Sequence, residues 1–372
     1  MGSVKISLPL SVVPVRFCPS KETLAVLNDR QWICSYSGGK DSTTLVTWIE
    51  YLRRIGMVKC ETPRLVMSDT GVEYPFLQQI SADMMARLSA TGWKCEIVRP
   101  AVHQRLYCRI FGIGNTPVHP GGRKMRWCSR STKIDPMNRF SKSVGADTIQ
   151  LSGVRWGESD VRDEKLELGG CAAGGECGLP APSGGVYGPI ITWRTCKVLE
   201  WLAGEVEGEV RGVIADLLPM MRRLIDVYEL KYEQPNLYGV PPKASSMRFG
   251  CIGCPAISNE KITKSKQGKA HAEWSHLRRI YGIWDRLYAY ENRCLKIKAG
   301  RGRAGPVRLE ARKRYFAELL DIQAQSGVTL VTPEDIAFIH DCWERKVYPR
   351  GWSEADEATE EPEERNLITV SQ

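Results

Sequence analysis

Two short strings in this 372-residue chain combine residue types and spacings that can do chemistry. Ser37-Gly38-Gly39-Lys40-Asp41-Ser42 packs two glycines, a cation, a carboxylate and two hydroxyls into six positions. Glycines let backbone approach a ligand closely, and the free N–H groups and positive dipole of a following helix start favour an anion. Lys40 adds charge, and Ser37 and Ser42 add hydroxyl donors. The spacing is not the G-x-x-x-x-G-K-[ST] of the Walker loop. The second string, Cys251-Ile252-Gly253-Cys254-Pro255, places two thiols so that both can face one metal or cluster.

The surrounding pattern supplies the elements that position the first string. Gln31 to Tyr36 reads as a short buried strand. From Asp41 onward Leu45, Trp48, Ile49, Leu52 and Ile55 recur at three- and four-residue spacing, one face of a helix. The glycine string is therefore the turn from strand to helix. A second strand, Arg64 to Ser68, ends in Asp69 and Thr70; a helix from Pro75 to Ser89 and a third strand, Cys95 to Val98, follow. A fourth strand, Thr148 to Val154, ends in Arg155. Strands alternating with helices predict an α/β fold with a doubly wound, largely parallel sheet. Open sheets of this kind bind ligands at the carboxyl ends of their strands. On that ground Asp69, with Thr70 beside it, and Arg155 are predicted ligand contacts. The competing readings are a turn cap for Asp69 and a surface charge for Arg155.

Composition sets the remaining bounds. Hydrophobic residues make up 42% of the chain, enough for a proper core, and no apolar run approaches a membrane span. The first twenty residues lack a signal-peptide pattern, so a soluble, cytoplasmic protein without membrane partners is expected. Thirteen cysteines then argue for metal or sulfur chemistry over a disulfide framework; Cys18, Cys34, Cys60, Cys95 and Cys108 read as small buried hydrophobes. The net charge of +9 is unevenly placed. Residues 261 to 314 hold sixteen Lys and Arg against four acids, with Trp and Tyr interleaved, whereas residues 353 to 365 hold seven acids and one arginine. A dense basic face favours a polyanion such as DNA through counterion release; a solvated face or a dock for an acidic protein is the alternative.

These patterns divide the chain into an N-terminal extension (1–30), a nucleotide-binding domain (31–168), a glycine-rich flexible loop (169–188), a continuation carrying the Cys-x-x-Cys (189–258), a basic helical region (259–350) and an acidic disordered tail (351–372).

Ser-Gly-Gly-Lys-Asp-Ser resembles the pyrophosphate loop of the ATP pyrophosphatase (PP-loop) superfamily, whose adenine nucleotide α-hydrolase-like enzymes cleave ATP between the α- and β-phosphates. With "SDTGVEYPFL", "KMRWCSRSTKIDP", "SGVRWGES", "GPIITWRTCKVLEWL" and "RFGCIGCP" in this order, the chain resembles the phosphoadenosine phosphosulfate reductase family from about Trp32 to Pro255. "LYCRIFGIGNTPVHPGGRKMRWCSRSTKIDP" makes it most similar to the DndC-type proteins of DNA phosphorothioation. The resemblance implies ATP and Mg²⁺ at Ser37, Gly38, Gly39, Lys40, Asp41, Ser42, Asp69 and Thr70, with Lys40, Asp41 and Arg155 as catalytic residues. It implies a cysteine desulfurase and other DNA-modification subunits as partners, and DNA as the acceptor of sulfur. An intact loop and the lack of a C-terminal Glu-Cys-Gly-Leu-His separate the chain from sulfonucleotide reductases, the main alternative; the other rivals are a tRNA thiolase, a sulfate adenylyltransferase subunit and a non-catalytic ATP-binding subunit.

The same resemblance implies a [4Fe–4S] cluster on Cys128, Cys251 and Cys254, with zinc as the alternative. Trp127 stands where adenylylsulfate reductases have a further cysteine. The fourth ligand is then Cys171, Cys177 or Cys294, or none, which would leave one iron open.

Overall fold

Strand β1 (Trp32–Tyr36) lies at the centre of an all-parallel sheet of order β3-β2-β1-β4-β5, with β2 at Arg64–Ser68, β3 at Lys94–Val98, β4 at Ile149–Leu151 and β5 at Gly185–Tyr187. The computed structural model describes residues 17–118, 126–156, 185–203, 208–228, 250–254, 265–298 and 301–357. Two compact units emerge, one built from 1–68, 75–98 and 137–247, the other from 69–74, 99–136 and 248–372. Each unit draws on three separate stretches of the chain.

In the first unit, side-chain alternation along the strands settles the layering. Trp32, Cys34 and Tyr36 of β1 and Leu65 and Met67 of β2 enter one core. There they meet Leu45, Trp48, Ile49 and Leu52 of helix Lys40–Arg54, and Met84, Met85 and Leu88 of helix Pro75–Ala90. Ile33 and Val66, one residue out of phase, face the opposite side and pack on Met137, Phe140 and Val144 of helix Asp135–Val144. A period of two thus feeds two faces, each covered by helix, which is the doubly wound arrangement. The strand order reverses between β1 and β4, so the crevice at their carboxyl ends is the switch point where such sheets bind ligands.

Several expectations from sequence are corrected. Strand β4 stops at Leu151 rather than Val154, freeing Ser152 to Arg155 for the crevice. The end of the glycine-rich stretch is strand β5, paired in register with β4 and held by Tyr187 Oη at 2.8 Å from Thr23 Oγ1; residues 169–184, with Cys171 and Cys177, lie outside the described residues. The basic region is not wholly helical, because β6 (Arg293–Lys298) and β7 (Arg301–Val307) form an antiparallel hairpin between helices Arg279–Tyr288 and Leu309–Ser326. The acidic tail begins folded: Glu354–Glu357 is a 3₁₀ turn, and Glu357 accepts hydrogen bonds from the Leu309 amide (2.5 Å) and Tyr348 Oη (2.6 Å). Residues 358–372 lie outside the described residues. Cys18 is exposed, Cys60 and Cys95 are half-buried, and Cys34 and Cys108 are buried. Among the described residues no helix is long and apolar enough to cross a membrane.

Candidate functional site

The glycine turn after β1 closes on itself through hydroxyls. Ser42 Oγ accepts from the Ser37 amide (3.2 Å), lies 3.1 Å from Ser37 Oγ and donates to the Gly39 carbonyl (3.1 Å). Gly38 sits at φ +68°, and a Cβ there would fall 2.2 Å from Ser81 Oγ, so only glycine fits. Helix Lys40–Arg54 begins at Gly39 with no side-chain cap. Its first returning backbone bond runs from Thr43 to Gly39 (2.9 Å). The amides of Lys40, Asp41 and Ser42 therefore precede the helical ladder and carry the positive end of the helix dipole.

Asp41 is bracketed by two cations. Arg155 Nε lies 2.6 Å from Asp41 Oδ1, and Lys40 Nζ 2.5 Å from Oδ2. Arg155 arrives from the loop after β4, so this pair spans the switch point. It is anchored from behind, donating Nη1 to the Trp193 carbonyl at 2.9 Å, and its side chain is 3% exposed. Burial alone would raise the Asp41 carboxyl, but Lys40 and Arg155 outweigh it and hold it below the ordinary carboxylate value. The loop thus gathers a half-buried carboxylate, an ammonium paired with it, and a run of amides at the helix start. Arg155 is not a surface charge.

Some positioning residues escaped the sequence reading. A Cβ on Gly153 would fall 2.8 Å from the Asp41 carbonyl carbon and 2.9 Å from the Ser42 nitrogen, so at this position the β4 loop approaches the turn backbone to backbone. The signal was a glycine just past a strand. Tyr228 Oη approaches Gly39, where an added Cβ would lie 3.8 Å from it; burial raises its phenol, and Tyr36 and Asp41 add to that. No periodicity marks Tyr228 as part of this site.

Asp69 and Thr70 follow the carboxyl end of β2 as expected, and they belong to the second unit. Asp69 Oδ1 accepts from the Gly71 amide (3.0 Å) and Oδ2 from Arg99 Nε (2.8 Å), while buried Thr70 donates to Glu73 Oε1 (2.5 Å). Both side chains brace the turn that carries Val72 and Tyr74.

That turn leads to the cysteines. The Val72 carbonyl accepts from the Ile252 amide (2.7 Å), Trp284 Nε1 donates to the Gly253 carbonyl (2.7 Å), and Tyr281 Oη donates to that of Cys254 (3.3 Å). Gly253 is at φ +68°, with Ile280 Cγ2 2.5 Å from where a Cβ would stand. The Cys-x-x-Cys is therefore a clamped turn. Burial pushes the Cys251 thiol up to about 11, Lys133 opposes the shift, and Glu73, Cys254 and Cys128 add to it. Burial likewise raises Cys128, which also feels Cys254. The three predicted ligands are thus electrostatic neighbours. Trp127 is fixed instead by donating to the Thr116 carbonyl (2.9 Å) beneath the Arg109 guanidinium, 5.1 Å away. Cys294 is buried in the hairpin, where Glu357, Arg312, Arg308 and Asp356 are its charged neighbours. Among the described residues no group of three or more His, Cys, Asp or Glu is gathered tightly enough for a metal ion. Thiolates on one zinc, each about 2.3 Å from it, must crowd together; a cluster spreads its thiolates over separate irons. Three thiols in one electrostatic neighbourhood are donors of the kind that zinc and iron–sulfur clusters both take.

Much of the basic charge in residues 261–314 is held internally. Arg279 pairs with Asp321 (2.8 Å), Arg286 with Glu318 (2.6 Å), Lys313 with Glu310 (2.9 Å) and Lys296 with Asp356 (3.4 Å). Arg312 is fully buried and donates to the carbonyls of Gly112 (2.5 Å) and Val347 (2.9 Å). A count of lysines and arginines therefore overstates the cationic surface.

No family profile matches the chain, and no curated protein does. Among solved structures it is similar to a phosphoadenylyl-sulfate reductase from Candida auris in phosphate complex, at 14% identity and TM-score 0.33, covering 57% of this chain and 94% of that one. It is also similar to the U34-tRNA thiolase NcsA from Methanococcus maripaludis with its [4Fe-4S] cluster, at 15% identity and TM-score 0.31, covering 72% and 77%. Likeness at this level carries no functional argument; the class defined here, a doubly wound α/β protein with a glycine turn at its switch point, rests on the sheet and loop themselves.

Proposed function

We propose that the protein is a PP-loop ATP pyrophosphatase of the phosphoadenosine phosphosulfate reductase kind that activates a DNA phosphodiester for sulfur insertion. The observation that carries this reading is the buried Arg155–Asp41 pair, 2.6 Å across the switch point, beside an uncapped helix start. The amides of Lys40 to Ser42, with the Ser37 hydroxyl and the Lys40 ammonium, would hold the β- and γ-phosphates. Asp41 is the carboxylate that would hold Mg²⁺, which keeps most of its coordination for phosphate oxygens and water. A nonbridging phosphodiester oxygen attacks the α-phosphorus, the α–β P–O bond breaks and pyrophosphate leaves. Persulfide sulfur from a cysteine desulfurase, released as hydrosulfide with two electrons from an external dithiol that becomes a disulfide, then attacks the DNA phosphorus, and AMP departs with the original oxygen. Positioning and charge stabilisation suffice for the first step, so no general base is assigned.

Cys128, Cys251 and Cys254 would hold a [4Fe–4S] cluster, which would supply sulfur at the sulfide level. DNA would meet the exposed cations of the basic region. Mass spectrometry of nuclease-digested host DNA, with and without the gene, tests the proposal: phosphorothioate dinucleotides are expected only with it. If sulfur appears in tRNA bases, or sulfite is released from adenylylsulfate, the DNA acceptor is wrong.

A further inference from the structure

The Cys251–Cys254 turn forms part of the wall of a cavity of about 390 Å³ within the second unit. Its lining is sorted by depth. Tyr74 and Trp274 are buried beneath it, 3% and 7% exposed, and Tyr281 is half-buried beside them. Trp274 is held flat against His271, with ring centroids 4.1 Å apart and planes within 12°, and tilts against Tyr74 at 5.9 Å. At the mouth Lys269, Ala272, Ser275 and Arg278 are exposed. Gly253 supplies backbone rather than a side chain to the wall, for the steric reason given above.

Fixed aromatic rings under a cationic rim suit a planar, aromatic, negatively charged group. An inorganic anion would have no use for the rings, and an aliphatic group none for the cations. A nucleotide satisfies both. The volume lies at the lower end of the ~300–1,000 Å³ typical of small-ligand pockets, enough for one nucleotide but not a base pair. A base reaches such a pocket only when unstacked, in a single strand or flipped from a duplex.

We propose that this cavity takes one unstacked nucleotide of the acceptor nucleic acid, its base against Tyr74, Trp274 and Tyr281 and its phosphate at Lys269 and Arg278. The inference deepens the proposed function and rests on its nucleic-acid acceptor. It gives the Cys-x-x-Cys turn a direct role, because a nucleotide held there has the Gly253 backbone as part of its surroundings.

The test uses the full chain without ATP. Labelled single strands of DNA and of RNA, each with one 2-aminopurine, and the corresponding duplexes are titrated by anisotropy and fluorescence. A single strand is expected to bind with a change in 2-aminopurine emission, and the DNA and RNA arms identify the sugar. Ser275→Trp, which fills the mouth from an exposed position, should weaken binding about tenfold or more, the scale of one lost base–aromatic stack, and abolish the emission change. The double variant Lys269→Glu/Arg278→Glu should lower the log–log salt slope by about 0.7 per lost phosphate contact. A folded Ser275→Trp protein with unchanged affinity and emission would overturn the proposal. So would displacement of the strand by polyglutamate but not by nucleoside monophosphates, which would mark a dock for an acidic protein. If Ser275→Trp melts early, the double charge variant decides alone. Strand binding by a protein that makes no pyrophosphate would keep the cavity and remove the ATP reading; pyrophosphate formation with no effect of either variant would do the reverse.

Discussion

Arg155 Nε lies 2.6 Å from Asp41 Oδ1, joining the loop after β4 to the turn after β1. The same guanidinium donates Nη1 to the Trp193 carbonyl, so the carboxylate is fixed through a bridge that needs two nitrogens in one plane. Lysine cannot make that bridge. Arg155→Lys should lower pyrophosphate formation by about 10²-fold, the usual scale for loss of one oriented charge-stabilising group. Steady-state kinetics with a melting curve checks this; near-normal turnover would show that charge alone suffices.

Gly153 marks a second constraint on the same turn. An alanine Cβ there would meet backbone atoms of Asp41 and Ser42 at 2.8–2.9 Å, and backbone cannot rotate aside. Gly153→Ala should displace the loop and abolish ATP cleavage. Gly212→Ala, where nothing lies within 4 Å, should leave cleavage intact and stabilise its helix by about 0.5–1 kcal/mol. Equal activities in the two variants would remove Gly153 from the site.

Glu50 contributes to the acid stability of the first unit. Its side chain is fully buried and accepts from Arg53, Arg54 and Trp93 at 2.7–3.0 Å. Burial alone would raise its carboxyl, but these donors hold it below its ordinary value of 4.5. A carboxylate depressed by folding contributes stability that is fully present above its unfolded value and lost as pH falls through the folded one. Wild type should therefore lose stability as pH falls below about 4.5, and Glu50→Gln should show a shallower loss there from a lower starting point. Denaturant melts between pH 7 and pH 3 measure it.

Iron content separates the cysteines. Protein purified without oxygen should be brown and carry iron and sulfide. Cys128→Ser, Cys251→Ser and Cys254→Ser should each lose iron. Cys294→Ser should keep it, because that thiol is buried among Glu357, Arg312, Arg308 and Asp356. Zinc without iron under anaerobic handling would contradict the cluster.

Local signals carried well where the chain is locally determined. The turn at Ser37 to Ser42 and the sheet's parallel strands followed from glycine spacing and from short apolar runs between amphipathic helices. Arg155 was singled out because it follows a strand, and it is buried against Asp41. Its anchor at Trp193, the approach of Tyr228 and the contact at Gly153 depend on which loops meet at the switch point, and no residue pattern encodes that. Charge was misjudged for the same reason: Arg279 and Arg286 face Glu318 and Asp321 of a helix some forty residues away, and Arg312 is interior. Strand β5 was hidden because glycine-rich sequence reads as loop, although parallel pairing with β4 supplies what its composition lacks.

The most direct measurement is the product pair formed from ATP. α-Labelled ATP incubated with Mg²⁺ and single-stranded DNA should give AMP and pyrophosphate with the wild-type protein. Asp41→Ala should give neither while keeping the wild-type far-ultraviolet spectrum. Formation of ADP and phosphate, or undiminished AMP from Asp41→Ala, would contradict cleavage between the α- and β-phosphates at the Ser37–Ser42 turn.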